Sequence, residues 1–257
     1  MKLSDRMLAS EIHVHLLDDR KVNSSDLIAA FERLLTPEEI EKRCQFKFPE
    51  HRHQYLVTRA LVRSTLTGYF PRTAPADWRF IATEYGRPMI KGVNRNIFDF
   101  NVSHTEGCIV LVVSAGRSPG VDVERNKQTT DFLEIAQRFF TGSEYRYLKD
   151  QPVEARQRCF LDLWTLKEAF VKANGLGLSL RLNDFAFDLR RNGRLGFKNN
   201  ILDCAQKASW KFWAIDFSSE YALALAIDAS VRPKVRLFES LPLGTFQEID
   251  LKIRYQN

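Results

Sequence analysis

Residues 160–178, FLDLWTLKEAFVKANGLGL, decide how the rest of the chain is read. Phe160, Leu163, Trp164, Phe170 and Val171 recur near the 3.6-residue period, which predicts a helix with that face buried. Glu168 and Lys172 are four residues apart and share a face. Lys167 lies about 100° around the helix from Glu168. Asn174-Gly175 supplies a helix stop, and Gly177 keeps the following loop thin. Alone, the stretch is a core helix with one i,i+4 ion pair, or a helix that carries chemistry. The sequence upstream decides between them.

Gly120-Val121-Asp122-Val123-Glu124 alternates as a strand does. Val121 and Val123 point to a core, while Asp122 and Glu124 share the opposite face. Two carboxylates about 7 Å apart at Cα are costly without a cation, unless solvent surrounds them at an exposed strand edge. Oxygen donors without histidine or cysteine suit Mg²⁺. Phe98–His104 (FDFNVSH) and Gly107–Ser114 predict two strands. Ser103 and His104 fall where they join, as a phosphate-binding pair or as plain turn residues. A Ser–His nucleophile pair is disfavoured, because strand neighbours point opposite ways and no GxSxG elbow is present. Thr130–Phe140 predicts a helix. Thr141-Gly142-Ser143-Glu144 then has capping-box spacing for a helix over Ser143–Leu148, which explains Glu144 structurally.

Nearer the start, Glu11–Leu17 (EIHVHLL) predicts a strand with His13 and His15 on one face. They form a metal pair only if a third ligand joins them. Asp26–Leu35 predicts a short helix. Thr36, Pro37 and Glu39 occupy the N-cap, N1 and N3 positions of another. Residues 42–63 are basic and aromatic, and Gln54–Phe70 predicts a helix. Lys42, Lys47, Arg52, Arg59 and Arg63 form either an anion-binding patch or solvated surface. Asp77–Ala82 predicts a strand, and Glu84–Pro88 (EYGRP) a turn presenting Arg87. Beyond the opening helix, Asp184–Leu189, Lys211–Phe217 and Tyr221–Ile227 predict strands, with an Asn-Gly hairpin turn over Arg190–Arg194. From Asp228 onward no chemistry is legible, and the tail is expected to wrap the surface.

The 257 residues can bury a large core, in one domain or two small ones. Hydrophobic residues at 44% and charged residues at 27% make a soluble globular mixture. A net charge of +6 suits an anionic partner: a phosphorylated cofactor, nucleic acid or an acidic protein. No helix-turn-helix, zinc-finger or RRM signature supports nucleic acid. Cys44, Cys108, Cys159 and Cys204 form no CxxC pair, which argues against thiolate zinc. The N-terminus lacks an apolar signal region, and the longest apolar run, Ile109–Val113, is too short to span a bilayer. The expectation is a soluble cytoplasmic protein without membrane association.

The order and spacing of NVSH (101–104), GVDVE (120–124), FFTGSE (139–144) and WTLKEAFVKANGLGL (164–178) resemble the 4′-phosphopantetheinyl transferases. The resemblance is to their long, monomeric, broad-specificity type. PEEIEKRCQF (37–46) and EYGRP (84–88) are similar to that family's upstream motifs. The resemblance implies transfer of the phosphopantetheine arm of coenzyme A to a serine of an acyl or peptidyl carrier protein, leaving adenosine 3′,5′-bisphosphate. It implies an α+β fold of two pseudo-twofold halves, each a helix on a three-stranded antiparallel sheet, with the active site in the cleft between them. No repeat is evident in the sequence itself. The implied halves are 1–116, carrying the nucleotide-binding motifs, and 117–257, carrying the metal-binding acids and the carrier-protein contact.

By the same resemblance Asp122, Glu124 and Glu168 are Mg²⁺ ligands. Glu168 alternatively serves as general base, Lys172 touches the cofactor phosphates, and Glu144 is a glutamate of the catalytic set. Lys42, Arg87, Ser103 and His104 hold the nucleotide and its 3′-phosphate. Arg87 stands where relatives often carry lysine, which keeps the charge and changes the geometry. Residues 175–182 would face the carrier protein, usually acidic. Two other readings use the same residues. One is a different Mg²⁺-dependent phosphoryl or nucleotidyl enzyme; the other is a non-catalytic basic module that binds nucleic acid.

Overall fold

The computed structural model describes residues 10–127, 131–175, 177–190, 192–199 and 209–257; Thr130, Leu176, Arg191 and Cys204, which figure in the expectations above, lie outside them. The first part of the chain runs β1 (Glu11–Leu17), α1 (Ser25–Glu32), α2 (Pro37–Gln45), α3 (Pro49–Tyr69), β2 (Phe80–Ala82), β3 (Pro88–Ile90), β4 (Asp99–Thr105) and β5 (Cys108–Ser114). Then follow β6 (Pro119–Arg125), α4 (Phe132–Phe139), α5 (Gly142–Asp150), α6 (Val153–Asn174), β7 (Phe185–Leu189), β8 (Leu195–Asn199), β9 (Trp210–Ile215) and β10 (Tyr221–Asp228). The tail adds β11 (Lys234–Ser240), β12 (Phe246–Ile249) and β13 (Ile253–Gln256).

A unit of strand, long helix, short hairpin and two more strands occurs twice. Its strands pair in the order β4-β5-β1 the first time and β9-β10-β6 the second, so β1 corresponds to β6 and α3 to α6. The α+β architecture of two similar helix-on-sheet units is therefore present in the fold. Each three-stranded unit is enlarged by the tail. β11 pairs parallel with β1 and carries β12 on its outer edge, while β13 pairs antiparallel with β9. The tail is thus sheet rather than surface wrapping.

Strand alternation makes four layers of these units. Ile12, Val14, Val110, Val112, Val121, Val123, Leu223 and Leu225 are buried between the two sheets. The other faces are covered by helices. Ile109, Leu111 and Val113 of β5 meet α3, and Ala222, Ala224 and Ala226 of β10 meet α6. The two helices sit differently. α6 lies along both β6 and β10, whereas α3 touches β5 at few positions and stands off β1. Gly120 permits the closer approach. A Cβ there would come within 2.0 Å of the Ala169 carbonyl oxygen and 2.4 Å of the Ala173 nitrogen. Both are backbone atoms, so any side chain would lift the helix off the strand.

The caps follow the sequence. Thr36 with Glu39 and Thr141 with Glu144 both form complete capping boxes. Gly175 ends α6 in the left-handed region at φ 80°.

Candidate active site

The two sheets are not joined by strand pairing. The edge of β6 that is unpaired within its own sheet is instead met by side chains of β4. Asn101 Oδ1 accepts from the Val121 N–H at 3.0 Å, and Ser103 Oγ accepts from the Val123 N–H at 3.4 Å. Asn101 and Ser103 share one strand face, so NVSH fastens the joint as well as facing the cleft. This use of Asn101 was not read from the sequence, although its spacing from Ser103 carried the signal.

Asp122 lies at this joint on the β6 face that α6 covers, and is 4% exposed. It is not on a solvated edge. Its Oδ1 accepts from Ser103 Oγ at 2.9 Å and from Lys172 Nζ at 2.6 Å. The same ammonium reaches Ser103 Oγ at 2.9 Å. Lys172 therefore pairs with Asp122 across the layers rather than with Glu168 along its own helix. Asp122 Oδ2 is buried with no hydrogen-bond partner. Glu124, two residues along the same face, has its pKa pushed up to about 7, first by burial and then by the Asp122 charge. Burial and Asp122 also raise Glu168, and Lys172 opposes the shift in both. Trp164, expected in the buried face, is only partly buried and lines the cleft.

Of these residues Trp164, Glu168 and Lys172 reach the wall of a cleft of two adjoining chambers, with Asp122 buried behind Lys172. One chamber of about 720 Å³ is lined by Tyr85, Val102, Phe139, Trp164, Glu168 and Lys172, among others. A second, of about 620 Å³, is lined by Lys42, Tyr55, Thr58, Ser103, His104 and Lys172. Lys172 and Val102 border both chambers. His104 is exposed on β4, with its pKa lowered by the surrounding protein and then by Lys172. Lys42 is exposed on α2, with its ammonium 6.0 Å from the centre of the Tyr55 ring. Of the wider basic patch, Arg59 and Arg63 are occupied by Glu39, and Arg63 is fully buried.

Two expected site residues have their charged groups engaged by protein, Arg87 at the wall of the first chamber and Glu144 in the packing behind it. Arg87 is 7% exposed and its guanidinium is engaged by protein. Nη2 donates to Asp99 Oδ2 at 2.9 Å, to the Pro119 carbonyl at 2.9 Å and to the Phe100 carbonyl at 3.3 Å. Nη1 donates to the Lys172 carbonyl. This corrects the expectation of a phosphate ligand, since the donors that would hold a phosphate are already used. Glu144 is 2% exposed. Its Oε2 caps α5 and lies 3.0 Å from the fully buried Lys167 ammonium, and its Oε1 accepts from the Phe187 N–H at 2.9 Å. Both oxygens are consumed in the α5–α6–β7 packing, which corrects its assignment to the catalytic set. Lys167 also donates to the Leu182 and Phe185 carbonyls at 2.7 Å each, so its pair with Glu144 anchors the chain after α6.

His13 and His15 are no metal site. Their imidazoles share the Tyr69 hydroxyl, at 2.6 and 2.9 Å, and their other nitrogens meet Glu11 and Ser240.

The donors at Asp122 suit a hard divalent cation. An unpartnered buried carboxylate oxygen stands beside two acids whose charged forms are disfavoured, with Lys172 the cation bonded to Asp122. Among the described residues no group of three potential ligands forms a ready-made cage.

A family model described as the 4′-phosphopantetheinyl transferase superfamily matches residues 118–226, and one described as 4′-phosphopantetheinyl transferase, N-terminal, matches residues 22–116. The 4′-phosphopantetheinyl transferase HetI of a Nostoc species is 32% identical over 177 residues, 67% of this chain and 72% of its own. The 4′-phosphopantetheinyl transferase Sfp of Bacillus subtilis is 34% identical over 168 residues, 65% of this chain and 72% of its own. A phosphopantetheinyl transferase of a Thraustochytrium species is 28% identical over 212 residues, 78% of this chain and 72% of its own. With relatives this similar over most of their length, the chain belongs to the 4′-phosphopantetheinyl transferase family.

Proposed function

We propose that the cleft transfers the 4′-phosphopantetheine arm of coenzyme A to a serine of an apo carrier protein, giving the holo carrier protein and adenosine 3′,5′-bisphosphate. The observation that carries this is the Lys172 ammonium, which bridges Ser103 and Asp122 beside the unpartnered Asp122 Oδ2 where the two chambers meet. A pyrophosphate seated there would find the fixed positive charge of Lys172 and an imidazole donor from His104, with Ser103, whose hydroxyl donates to Asp122, holding the ammonium in place. The nucleotide fits the chamber of Lys42 and Tyr55, with Lys42 at the 3′-phosphate. The pantetheine arm and the acceptor serine fit the more apolar chamber of Trp164 and Phe139.

The serine oxygen attacks the phosphorus bearing the pantetheine arm, and the bond from that phosphorus to the bridging oxygen breaks. Glu168 lines the acceptor chamber with its pKa raised, and it receives the serine proton directly or through water. Asp122, Glu124 and Glu168 would hold Mg²⁺, which supplies charge neutralisation on the phosphates. Arg138 and Arg181 border the acceptor chamber and suit an acidic carrier protein. The division at 1–116 and 117–257 assigns nucleotide contacts to the first part, metal and acceptor contacts to the second. Both walls of the cleft come from one chain, which supports a monomer. No helix among the described residues is long and apolar enough to cross a membrane. Cys44, Cys108 and Cys159 are unpaired, which supports a cytoplasmic setting.

The experiment is incubation with CoA, Mg²⁺ and an apo carrier protein, read by intact mass. A gain of one phosphopantetheine per carrier serine is expected. CoA consumption without that gain would point to a different phosphoryl enzyme.

A further inference from the structure

We infer that Arg87 is a positioning residue: it clasps the last turn of α6 to the joint between the sheets and so sets where Lys172 points. The guanidinium gathers acceptors from three elements that are distant in the chain. Asp99 and Phe100 belong to β4, Pro119 opens β6, and the Lys172 carbonyl belongs to α6. That carbonyl is one of the last four of the helix, which have no partner within it. A cation there also complements the negative end of the helix dipole. The contact falls on the backbone of the same residue whose ammonium bridges Ser103 and Asp122. Asp99 is itself 2% exposed and is shared with Arg95, so the clasp is anchored from β4.

A lysine could not replace this arrangement. Its single ammonium is a point charge, while the planar fork of arginine spans acceptors on several elements. The guanidinium Nε is buried and unpartnered, which shows that the fork is aimed by the outer nitrogens alone.

The inference rests on the proposed transferase reading for its kinetic test, and on the structure alone for a second test. kcat and KM for CoA and 3′-dephospho-CoA are measured in wild type, Arg87→Met and Arg87→Lys. A displaced reacting group costs up to about 100-fold in rate. The expected result is a fall in kcat of about 10- to 100-fold in both variants, with the CoA/dephospho-CoA ratio of kcat/KM unchanged. A ratio that collapses towards one would overturn the inference, because Arg87 would then read the 3′-phosphate. Wild-type kcat in folded Arg87→Lys would overturn it too. Asp99→Asn keeps the arginine and weakens its anchor, and serves if Arg87→Met does not fold; a smaller fall in kcat at constant ratio is expected. Amide hydrogen exchange is the second test. Arg87→Lys should speed exchange at residues 172–175 and leave the α5 cap around Glu144 protected. Unchanged exchange at 172–175 would overturn the clasp. Wild type that transfers nothing would instead remove the transferase reading, leaving exchange to decide on Arg87.

Discussion

The strands β1 and β6 occupy equivalent places in the two units, yet their helix-facing residues differ in kind. On β1 these are His13 and His15; on β6 they are Asp122 and Glu124. β6 carries Gly120 under α6, whereas β1 (Glu11–Leu17) has no glycine, and the helices follow suit. α6 presses on its strand, while α3 stands off and the two imidazoles fill the gap to Tyr69 near its end. The histidine set is closed, for each ring nitrogen has a partner. The acidic set is open, with one orphaned oxygen and two carboxyls held above their ordinary range. One architecture thus supports stability where its polar groups are satisfied and chemistry where they are left unmet.

The contrast breaks first if the pair beside the cleft is not structural. Lys167→Met would leave Glu144 buried without its counter-charge. Breaking such a pair costs about 3–5 kcal/mol, read as a lower urea midpoint. A loss under about 1 kcal/mol would contradict the structural reading of Glu144.

The closed set is sharpened by pH. Burial, and then the neighbouring His13, push the His15 pKa down to about 3. In the unfolded chain it returns to about 6.5. A depressed folded pKa contributes stability above the unfolded value and loses it as pH falls towards the folded one. By pH 5 the loss is about 2 kcal/mol, from about 1.4 kcal/mol per pH unit. The stability advantage of wild type over His15→Gln should shrink by that amount between pH 7.5 and pH 5. A constant difference would mean that the imidazole is protonated in place.

The smallest effect belongs to the rim. Lys42→Ala removes one exposed contact to the 3′-phosphate. A charged hydrogen bond at the low end of about 1.5–3 kcal/mol raises KM for CoA roughly tenfold. KM for dephospho-CoA should stay the same, and an equal rise for both would move the phosphate away from Lys42.

The contrast also explains what the sequence made legible. The helix around WTLKEAF, the two capping boxes and the alternation of GVDVE were readable because each is set by local periodicity or spacing. The duplication was not, since EIHVH and GVDVE share a pattern of faces but no residue identities beyond valine. Arg87 and Glu144 were misplaced for one physical reason. Whether a charge meets a ligand or a buried partner depends on contacts 43 to 85 positions apart in the chain. The tail was passed over although KVRLFES and the residues after it form strands, because their few apolar residues alternate with charged and polar ones and make no continuous apolar run.

The most direct measurement sets the two units against each other. Pantetheine transfer to an apo carrier protein is followed by intact mass with saturating CoA and Mg²⁺, for Asp122→Asn and His13→Asn side by side. Several kcal/mol of transition-state stabilisation are attached to the acidic site, so Asp122→Asn should lose about 100-fold or more in kcat while remaining folded. His13→Asn should lower thermal stability and keep kcat within about threefold of wild type. Equal losses of kcat in both variants, or a folded Asp122→Asn with wild-type turnover, would contradict the assignment of chemistry to the open unit.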